Sequence, residues 1–194
     1  KEVYATSGPR IQLRMFGGFE FEADDANARD IAAVGYGGGV PMGGDLGQAP
    51  NGSPVSLLIH AVKDPVGANL DRVQVIKGWL DETGDTNERV YDVEWAGDRG
   101  REANGRVPAI GSTVDVEALT DDNAIGSAEL STVWVDPDFD SDERAFYYVR
   151  VLEIPTLRHS TYDAVALGQD PAEATARPSV IQERALSSPI WYTP

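Results

Sequence analysis

Four aspartates at alternate positions form the most distinctive acidic run of the chain. Asp136, Asp138, Asp140 and Asp142 lie in the segment DPDFDSDE. Alternate carboxylates let one loop converge several oxygens on Ca²⁺. The run departs from an EF-hand loop, because Ser141 stands where the turn glycine belongs. It predicts either a calcium site at these four aspartates or an acidic surface turn between two strands.

A glycine-rich segment, GYGGGVPMGGDLG over residues 35–47, is a candidate ligand loop. Consecutive backbone N–H groups in such a segment can surround an anion. Its spacing matches neither a P-loop nor a dinucleotide-binding turn. The alternative is a series of tight turns in which glycine adopts positive φ. The ligand-loop candidates are Gly37, Gly38, Gly39, Met42, Gly43, Gly44 and Asp45.

The two histidines, His60 and His159, are too few for a histidine-rich metal centre built within this chain. His60 interrupts an apolar run and is expected to have a structural role. His159 adjoins the start of a predicted helix and is expected to be exposed or to cap it. No GxSxG motif is present, so no catalytic serine is assigned.

Two charged residues, Arg150 and Glu153, lie within the apolar run RAFYYVRVLEIP. Burying either charge without a partner is costly. The two are therefore expected to pair with each other or to face a neighbouring domain. Together with Arg158 they are the domain-interface candidates.

The elements that position these residues are mostly strands, because the apolar pattern has period two or forms short runs between turn residues. Two of the predicted strands, on either side of a polar connection at residues 81–87, form a predicted hairpin. A short helix is predicted over residues 161–167, with Ser160 and Asp163 as a capping box and Gly168 at its end. The predicted strands cover residues 11–15, 55–62, 72–80, 88–95, 112–119, 129–135, 144–155 and 188–192.

This pattern predicts an all-β fold, an antiparallel β-sandwich of about seven to eight strands with one or two short helices. Residues 55–194 are assigned to the sandwich. Residues 21–54 are rich in Gly and Asp without a sustained period, and are expected to form a long loop or an insertion. Residues 1–20 hold the first strands.

Composition excludes several classes of partner. The chain has 194 residues, 41% of them apolar, no cysteine and a net charge of −16. Such a surface repels phosphate backbones and anionic lipid, so neither nucleic acid nor a membrane surface is an expected partner. The longest apolar runs are far shorter than the ~20 residues of a membrane-spanning helix.

Four tryptophans, Trp79, Trp95, Trp134 and Trp191, could supply stacking surfaces for a ligand such as a carbohydrate. Three of them are in phase with aliphatic positions of predicted strands. The simpler interpretation therefore places them in the core.

Six blocks of the sequence, in order, resemble the C-terminal part of a large bacterial family of unknown function. That family is related to the PHP (polymerase and histidinol phosphatase) metallohydrolases. The blocks are ATSGPRI, GVPMGGDL, DRVQVIKGWLD, AELSTVWVDPDFD, AFYYVRVLEIPT and SSPIWYTP.

The resemblance implies that a PHP-like barrel precedes this region in the same polypeptide and that residues 1–20 form its end. The barrel would hold a divalent metal (Zn, Mn or Fe) on His and Asp ligands, none of which can be assigned to residues here. No cofactor is therefore expected in this chain, apart from the calcium considered above. Secretion signals are common in the family, which favours an extracytoplasmic (periplasmic) location.

Three hypotheses about function follow. The favoured one is the C-terminal β-sandwich of a PHP-like metal-dependent hydrolase, with phosphoester hydrolysis as a candidate reaction. The sandwich would pack on the barrel, shape the substrate entrance and have no complete active site of its own. An apolar face that the barrel normally covers would also permit a homo-oligomer. The alternatives are an autonomous ligand- or carbohydrate-binding module and a calcium-stabilised structural domain.

Overall fold

Strand β9 (Ala145–Glu153) alternates between a fully buried face and a half-buried face. Its odd-numbered residues, from Ala145 through Tyr147 and Val149 to Glu153, face the interior. This is the period of two that an extended strand imposes on its side chains. A computed structural model describes residues 1–171, 173 and 176–194, and in it β9 is the central strand of the larger of two sheets.

The larger sheet has seven strands, arranged around β9. Strand β6 pairs with one edge of β9, and β7 pairs with β6 as the second half of the predicted hairpin. Strands β12 and β13 share the other edge of β9. Strand β1 extends the sheet beyond β12, and β4 pairs with β13 in parallel. The six strands around β9 are β1 (Tyr4–Thr6), β4 (Asp45–Leu46), β6 (Leu70–Leu80), β7 (Thr86–Trp95), β12 (Arg184–Ser187) and β13 (Ile190–Tyr192).

The smaller sheet has four antiparallel strands in the order β3-β2-β5-β8. A short pair, β10 with β11, lies outside both sheets. These strands are β2 (Gln12–Gly18), β3 (Gly39–Pro41), β5 (Ser56–Val62), β8 (Glu129–Val135), β10 (Thr156–Leu157) and β11 (Val180–Ile181).

One hydrophobic core lies between the two sheets. Leu57 and Ile59 of β5 belong to the same buried cluster as Val75 of β6 and Val149 of β9. Full burial of each such side chain contributes roughly 1.5–3 kcal/mol. The predicted antiparallel β-sandwich is therefore confirmed, with the single parallel pair β4–β13 as an addition.

Helix α1 (Ile31–Gly38) covers the outer face of the smaller sheet. The Asp30 side chain accepts a hydrogen bond from the backbone N–H of Ala33 at 3.0 Å and caps the helix. A Cβ on Gly35 would lie 2.2 Å from the Phe16 ring, so glycine allows the helix to approach the sheet. Because this helix and strands β3 and β4 fall within residues 21–54, that segment is not one long loop. It also contains two 3₁₀ helices, at Ala23–Asn27 and Pro50–Gly52.

Helix α2 (His159–Ala166) is the predicted short helix, but its start differs from the prediction. Its N-cap is Arg158, so Ser160 lies inside the helix rather than at its cap. Gly168 has φ +67°, and its N–H bonds to the carbonyl of Val165. The N–H of Gln169 bonds to the carbonyl of Ala164, which completes a Schellman C-cap around the glycine.

Residues 112–119 do not form the predicted strand. Only one isolated bridge, between Asp115 and Thr120, is present there, and Leu119 has positive φ. The Asp115 carboxylate instead accepts backbone N–H groups of Glu117 and Ala118, which fixes a tight turn. No helix that the structure describes is long and apolar enough to cross a membrane.

Candidate functional site

A buried ion pair anchors the acidic run at residues 136–142. Asp136 Oδ2 lies 2.7 Å from Nζ of Lys77 and also accepts a 2.8 Å hydrogen bond from the Tyr147 hydroxyl. Lys77 Nζ donates a second bond, of 2.7 Å, to the carbonyl of Asp138. Both charged side chains are almost fully buried. Each charge therefore compensates the other in an environment that is shielded from water.

The carboxylates of Asp138 and Asp140 have separate partners. Asp138 accepts hydrogen bonds from Arg89 at 2.8 Å and from the Tyr91 hydroxyl at 2.7 Å. Asp140 accepts the backbone N–H of Asp142 at 2.9 Å. Among the described residues, no three His, Cys, Asp or Glu side chains are grouped to hold a metal ion. The four aspartates therefore do not converge on one cation as their spacing predicts, because basic residues of the hairpin pair with the first two.

Two tyrosine hydroxyls beside the acidic run are hydrogen-bond donors. Burial raises the pKa of Tyr147, and the nearby Asp136 carboxylate raises it further. Burial also raises the pKa of Tyr91, and the hydrogen bond to Asp138 adds to this. Both phenols therefore remain neutral at ordinary pH and serve to hold the loop.

The substitution Lys77→Met tests the buried ion pair. It leaves the Asp136 carboxylate buried without its cation, so we expect the free energy of unfolding to fall by about 3–5 kcal/mol. The exposed Arg89–Asp138 pair provides the matched control, and Arg89→Met should cost no more than about 1 kcal/mol. Urea denaturation measures both values. Adding Asp136→Asn to Lys77→Met should recover part of the loss, whereas an equal cost for the two single variants would contradict the assignment.

The glycine-rich segment is divided between a helix and a strand. Gly37 and Gly38 end α1, and Gly39 begins β3. Of its seven glycines only Gly43 has positive φ, at +84°, so the predicted series of tight turns is not formed. At Gly43 a Cβ would also lie 2.1 Å from the backbone oxygen of Lys1.

Three N–H groups of this segment donate to backbone carbonyls of the chain. The N–H of Met42 donates to Met15 O at 2.8 Å, that of Gly43 to Pro189 O at 3.0 Å and that of Gly44 to Pro41 O at 2.9 Å. Met42 is buried, and the Asp45 carboxylate lies 3.9 Å from Lys1 Nζ at the surface. These three N–H groups are therefore not presented together to an anion.

The three domain-interface candidates lie apart. The Arg150 Nε donates to Gln74 Oε1 at 2.8 Å on the half-buried face of β9. Glu153 lies on the opposite, buried face, so the two charges do not pair with each other. Arg158 Nε donates to the carbonyl of Pro178 at 2.9 Å.

Both histidines have carboxylate neighbours. His60 Nε2 lies 2.7 Å from Glu129 Oε1 on the neighbouring strand β8. Its ring is partly buried, consistent with a structural role in β5. His159 is exposed, and its Nε2 lies 3.9 Å from Asp163 within α2.

An aromatic groove of about 630 Å³ lies at one end of the larger sheet. The rings of Phe146 and Trp191, which are partners in the register of β9 and β13, have centroids 5.2 Å apart. Trp191 is 47% exposed, whereas the Trp79 ring packs against the core, with its centroid 5.3 Å from Lys77 Nζ. Polar side chains surround these rings, and the residues that we call the aromatic groove are Trp79, Leu80, Asn87, Glu88, Arg144, Phe146 and Trp191.

Glycine at position 78 is what allows the groove to form. Gly78 faces Phe146 across the β6–β9 register, and a Cβ there would lie 2.4 Å from the Phe146 ring. The missing side chain lets the ring lie across β6 instead of standing away from the sheet. Phe146 then stacks with Tyr148 at an interplanar angle of 15°.

The tryptophans are less buried than the sequence predicts. Trp79, Trp95 and Trp134 are half-buried, and Trp191 is exposed. Trp79 and Trp134 pack against the hydrophobic core, as predicted, although neither is fully buried. Sequence reasoning did not assign Phe146 to a site. Its position in the strand could have indicated this, because Phe146 alternates with the buried residues and shares the half-buried face of β9 with Arg150.

Glu153 has a buried carboxyl group that is only partly compensated by its surroundings. The residue is 2% exposed, and its Oε1 has no hydrogen-bond partner. Burial raises its pKa to about 7, and the carboxylates of Glu183 and Asp64 contribute, while Lys63 opposes them. Asp64 shows the opposite behaviour, because the backbone N–H groups of Arg10 and Val66 bind its carboxylate and lower its pKa. Two neighbouring carboxyl groups are thus set to different protonation behaviour by their surroundings.

This difference predicts a pH dependence of stability. The pKa of Glu153 is raised by folding, so its contribution is fully present below the ordinary value of 4.5 and is lost as pH rises through about 7. The neutral variant Glu153→Gln should lack this loss. We therefore expect the Tm of the variant, relative to the unsubstituted protein, to increase between pH 5 and pH 8. A difference in Tm that does not change with pH would contradict the raised pKa.

Comparison with known proteins gives a match to one family. The family model DUF3604, described as a protein of unknown function, matches residues 1–194. Searches of curated proteins and of solved structures found no match.

Proposed function

The chain belongs to the DUF3604 family, and on that premise we propose that it is the β-sandwich portion of a PHP-like metal-dependent hydrolase. In this proposal a barrel of the same polypeptide holds the divalent metal (Zn, Mn or Fe), and phosphoester hydrolysis is the candidate reaction. The sandwich packs on the barrel and shapes the substrate entrance. The support is the ordered resemblance of six sequence blocks to the C-terminal part of that family. An extracytoplasmic location belongs to the same proposal, because secretion signals are common in the family that it resembles.

The aromatic groove is the observation that carries the entrance role. Phe146 and Trp191 present adjoining rings, and Trp191 is exposed in spite of the cost of leaving an indole in water. Arg144 lies on the lining beside them and can pair with an anionic phosphoryl group. Rings and a cation together suit a phosphoester with a flat apolar substituent. In this role the sandwich binds the substituent while the barrel acts on the phosphorus.

The test compares the 194-residue chain with the longer native polypeptide that we propose. Each is supplied in turn with Mn²⁺, Zn²⁺ or Fe²⁺ and with bis-p-nitrophenyl phosphate. We expect turnover only from the longer polypeptide. In it, Trp191→Ala should raise KM several-fold with little change in kcat, because the ring binds substrate and transition state alike.

Tyr162→Ala is the matched control, since Tyr162 is an exposed aromatic residue on α2. It should leave both kinetic constants unchanged. Turnover by the 194-residue chain alone would overturn the proposal, as would a longer polypeptide that is inactive with every metal. An equal KM for the Trp191 and Tyr162 variants would remove the role assigned to the groove.

A second candidate function, an autonomous carbohydrate-binding module, is favoured by the same exposed indole. Sugar rings stack on flat aromatic side chains, and Glu88 lines the groove where its carboxylate can accept hydrogen bonds from hydroxyl groups. Titration of the 194-residue chain with cellohexaose, xylohexaose and laminarihexaose should then change its tryptophan fluorescence in a saturable way. Trp191→Ala should abolish the change and Tyr162→Ala should preserve it. The absence of a response to all three sugars would count against this function.

A further inference from the structure

A cavity of about 420 Å³ at the opposite end of β9 from the aromatic groove is lined by carboxyl groups. Four acidic residues contribute to its wall, and no Lys or Arg does so among the residues described. The remaining wall is small or neutral, with Gly67 and Thr156 among its members. We call it the carboxyl cavity, and its acidic residues are Asp121, Asp122, Glu153 and Glu183.

Glu153 is the innermost of these four. It is at least nine-tenths buried, and Oε1 has no hydrogen-bond partner within the described part of the protein. A Cβ on Gly67, which also lines the cavity, would lie 3.5 Å from this oxygen. A carboxyl group in such a place is costly unless it is protonated or meets a donor. The absence of a side chain on Gly67 leaves space beside it.

The charged groups nearest to Glu153 have other partners. Lys63 Nζ donates to the carbonyl of Gly67 at 2.6 Å. Arg10 contacts Asp64 through its backbone N–H at 2.8 Å and through Nε at 3.5 Å. Glu183, at the mouth of the cavity, accepts a hydrogen bond from the Ser7 hydroxyl.

We propose that the carboxyl cavity binds the primary ammonium group of a small organic cation, with Glu153 as the inner acceptor and Glu183, Asp121 and Asp122 around the mouth. An ammonium group supplies three N–H donors and a positive charge, which is what an inner carboxylate within an acidic rim requires. A metal ion suits the cavity less well, because no three carboxylates among the described residues are grouped at ligand distance. The volume is large enough for a chain of several carbon atoms that carries the charge.

Binding of a cation is coupled to the proton on Glu153. The ammonium group favours the ionised carboxylate, whereas burial and the neighbouring Asp64 and Glu183 favour the neutral form. The affinity should therefore rise from pH 6 to pH 8, with release of a proton on binding at the lower pH. Lys63 is the nearby cation that opposes the neutral form of Glu153, and Arg10 binds the neighbouring Asp64.

Isothermal titration of the 194-residue chain with 1,4-diaminobutane at pH 8 and low ionic strength tests the site. We expect saturable binding to one site, at least a tenfold weaker affinity for Glu153→Gln, and a smaller loss for Asp122→Asn at the mouth. Glu20→Gln, which removes an exposed acidic side chain outside the cavity, is the matched control and should bind as the unsubstituted protein does. Thermal unfolding of Glu153→Gln confirms that the variant is folded.

Three outcomes would overturn the proposal. Equal binding by Glu153→Gln would mean that the charge of −16 attracts the diamine without a site. Equal binding of tetramethylammonium, which has no N–H donor, would remove the role of hydrogen bonding. Binding of Ca²⁺ or Mg²⁺ without binding of the diamine would identify a metal site instead.

Discussion

Hydrogen bonding along both edges of β9 is the constraint on which the larger sheet depends. One edge of this strand is taken by β6, and the other is divided between β12 and β13. Both edges of β9 are paired, so its side chains point alternately into the core and toward a partly covered surface. The alternation that follows places Tyr147 beside the buried Lys77–Asp136 pair, and Phe146, one residue earlier, in the aromatic groove. The same alternation places Glu153 in the carboxyl cavity. One strand thus supplies a structural contact, a ring of the aromatic groove and a buried carboxyl group with an oxygen that has no hydrogen-bond partner.

Buried charges at the edge of the core organise the irregular parts of the chain. Arg72 contacts Asp71 at 3.0 Å and donates a 2.6 Å hydrogen bond to the carbonyl of Val107, which attaches the long connection between β7 and β8 to the sheet. Lys77 does the same for the acidic run between β8 and β9. Each contact joins a loop to the buried strand β6. Such pairs hold position more than they add net stability, because desolvation offsets much of their attraction.

The strands could be predicted from sequence because period-two alternation is a local property. It identifies β5, β6, β8 and β9, together with the hairpin. Helix α1 could not be identified in this way, since IAAVGYGG contains three glycines and owes its stability to Asp30 and to packing on Phe16. Residues 112–119 alternate but find no partner strand. The alternate aspartates indicated a cation, and a cation is present, but it is the Lys77 side chain from a strand almost 60 residues earlier. Pairing across such distances cannot be inferred from the spacing within one loop.

The position of β12 and β13 in the sheet has a consequence for biosynthesis. Strand β1 pairs with β12, with Tyr4 opposite Ser187, and among the described residues β4 pairs with β13. These two early strands can therefore pair only after the ribosome has made about 140–180 more residues. Until those residues emerge, one edge of β9 and the edges of the two short strands stay open to other chains. Contacts so distant along the chain also slow folding. A nascent chain of this topology is therefore exposed to misassembly until strands β12 and β13 are made.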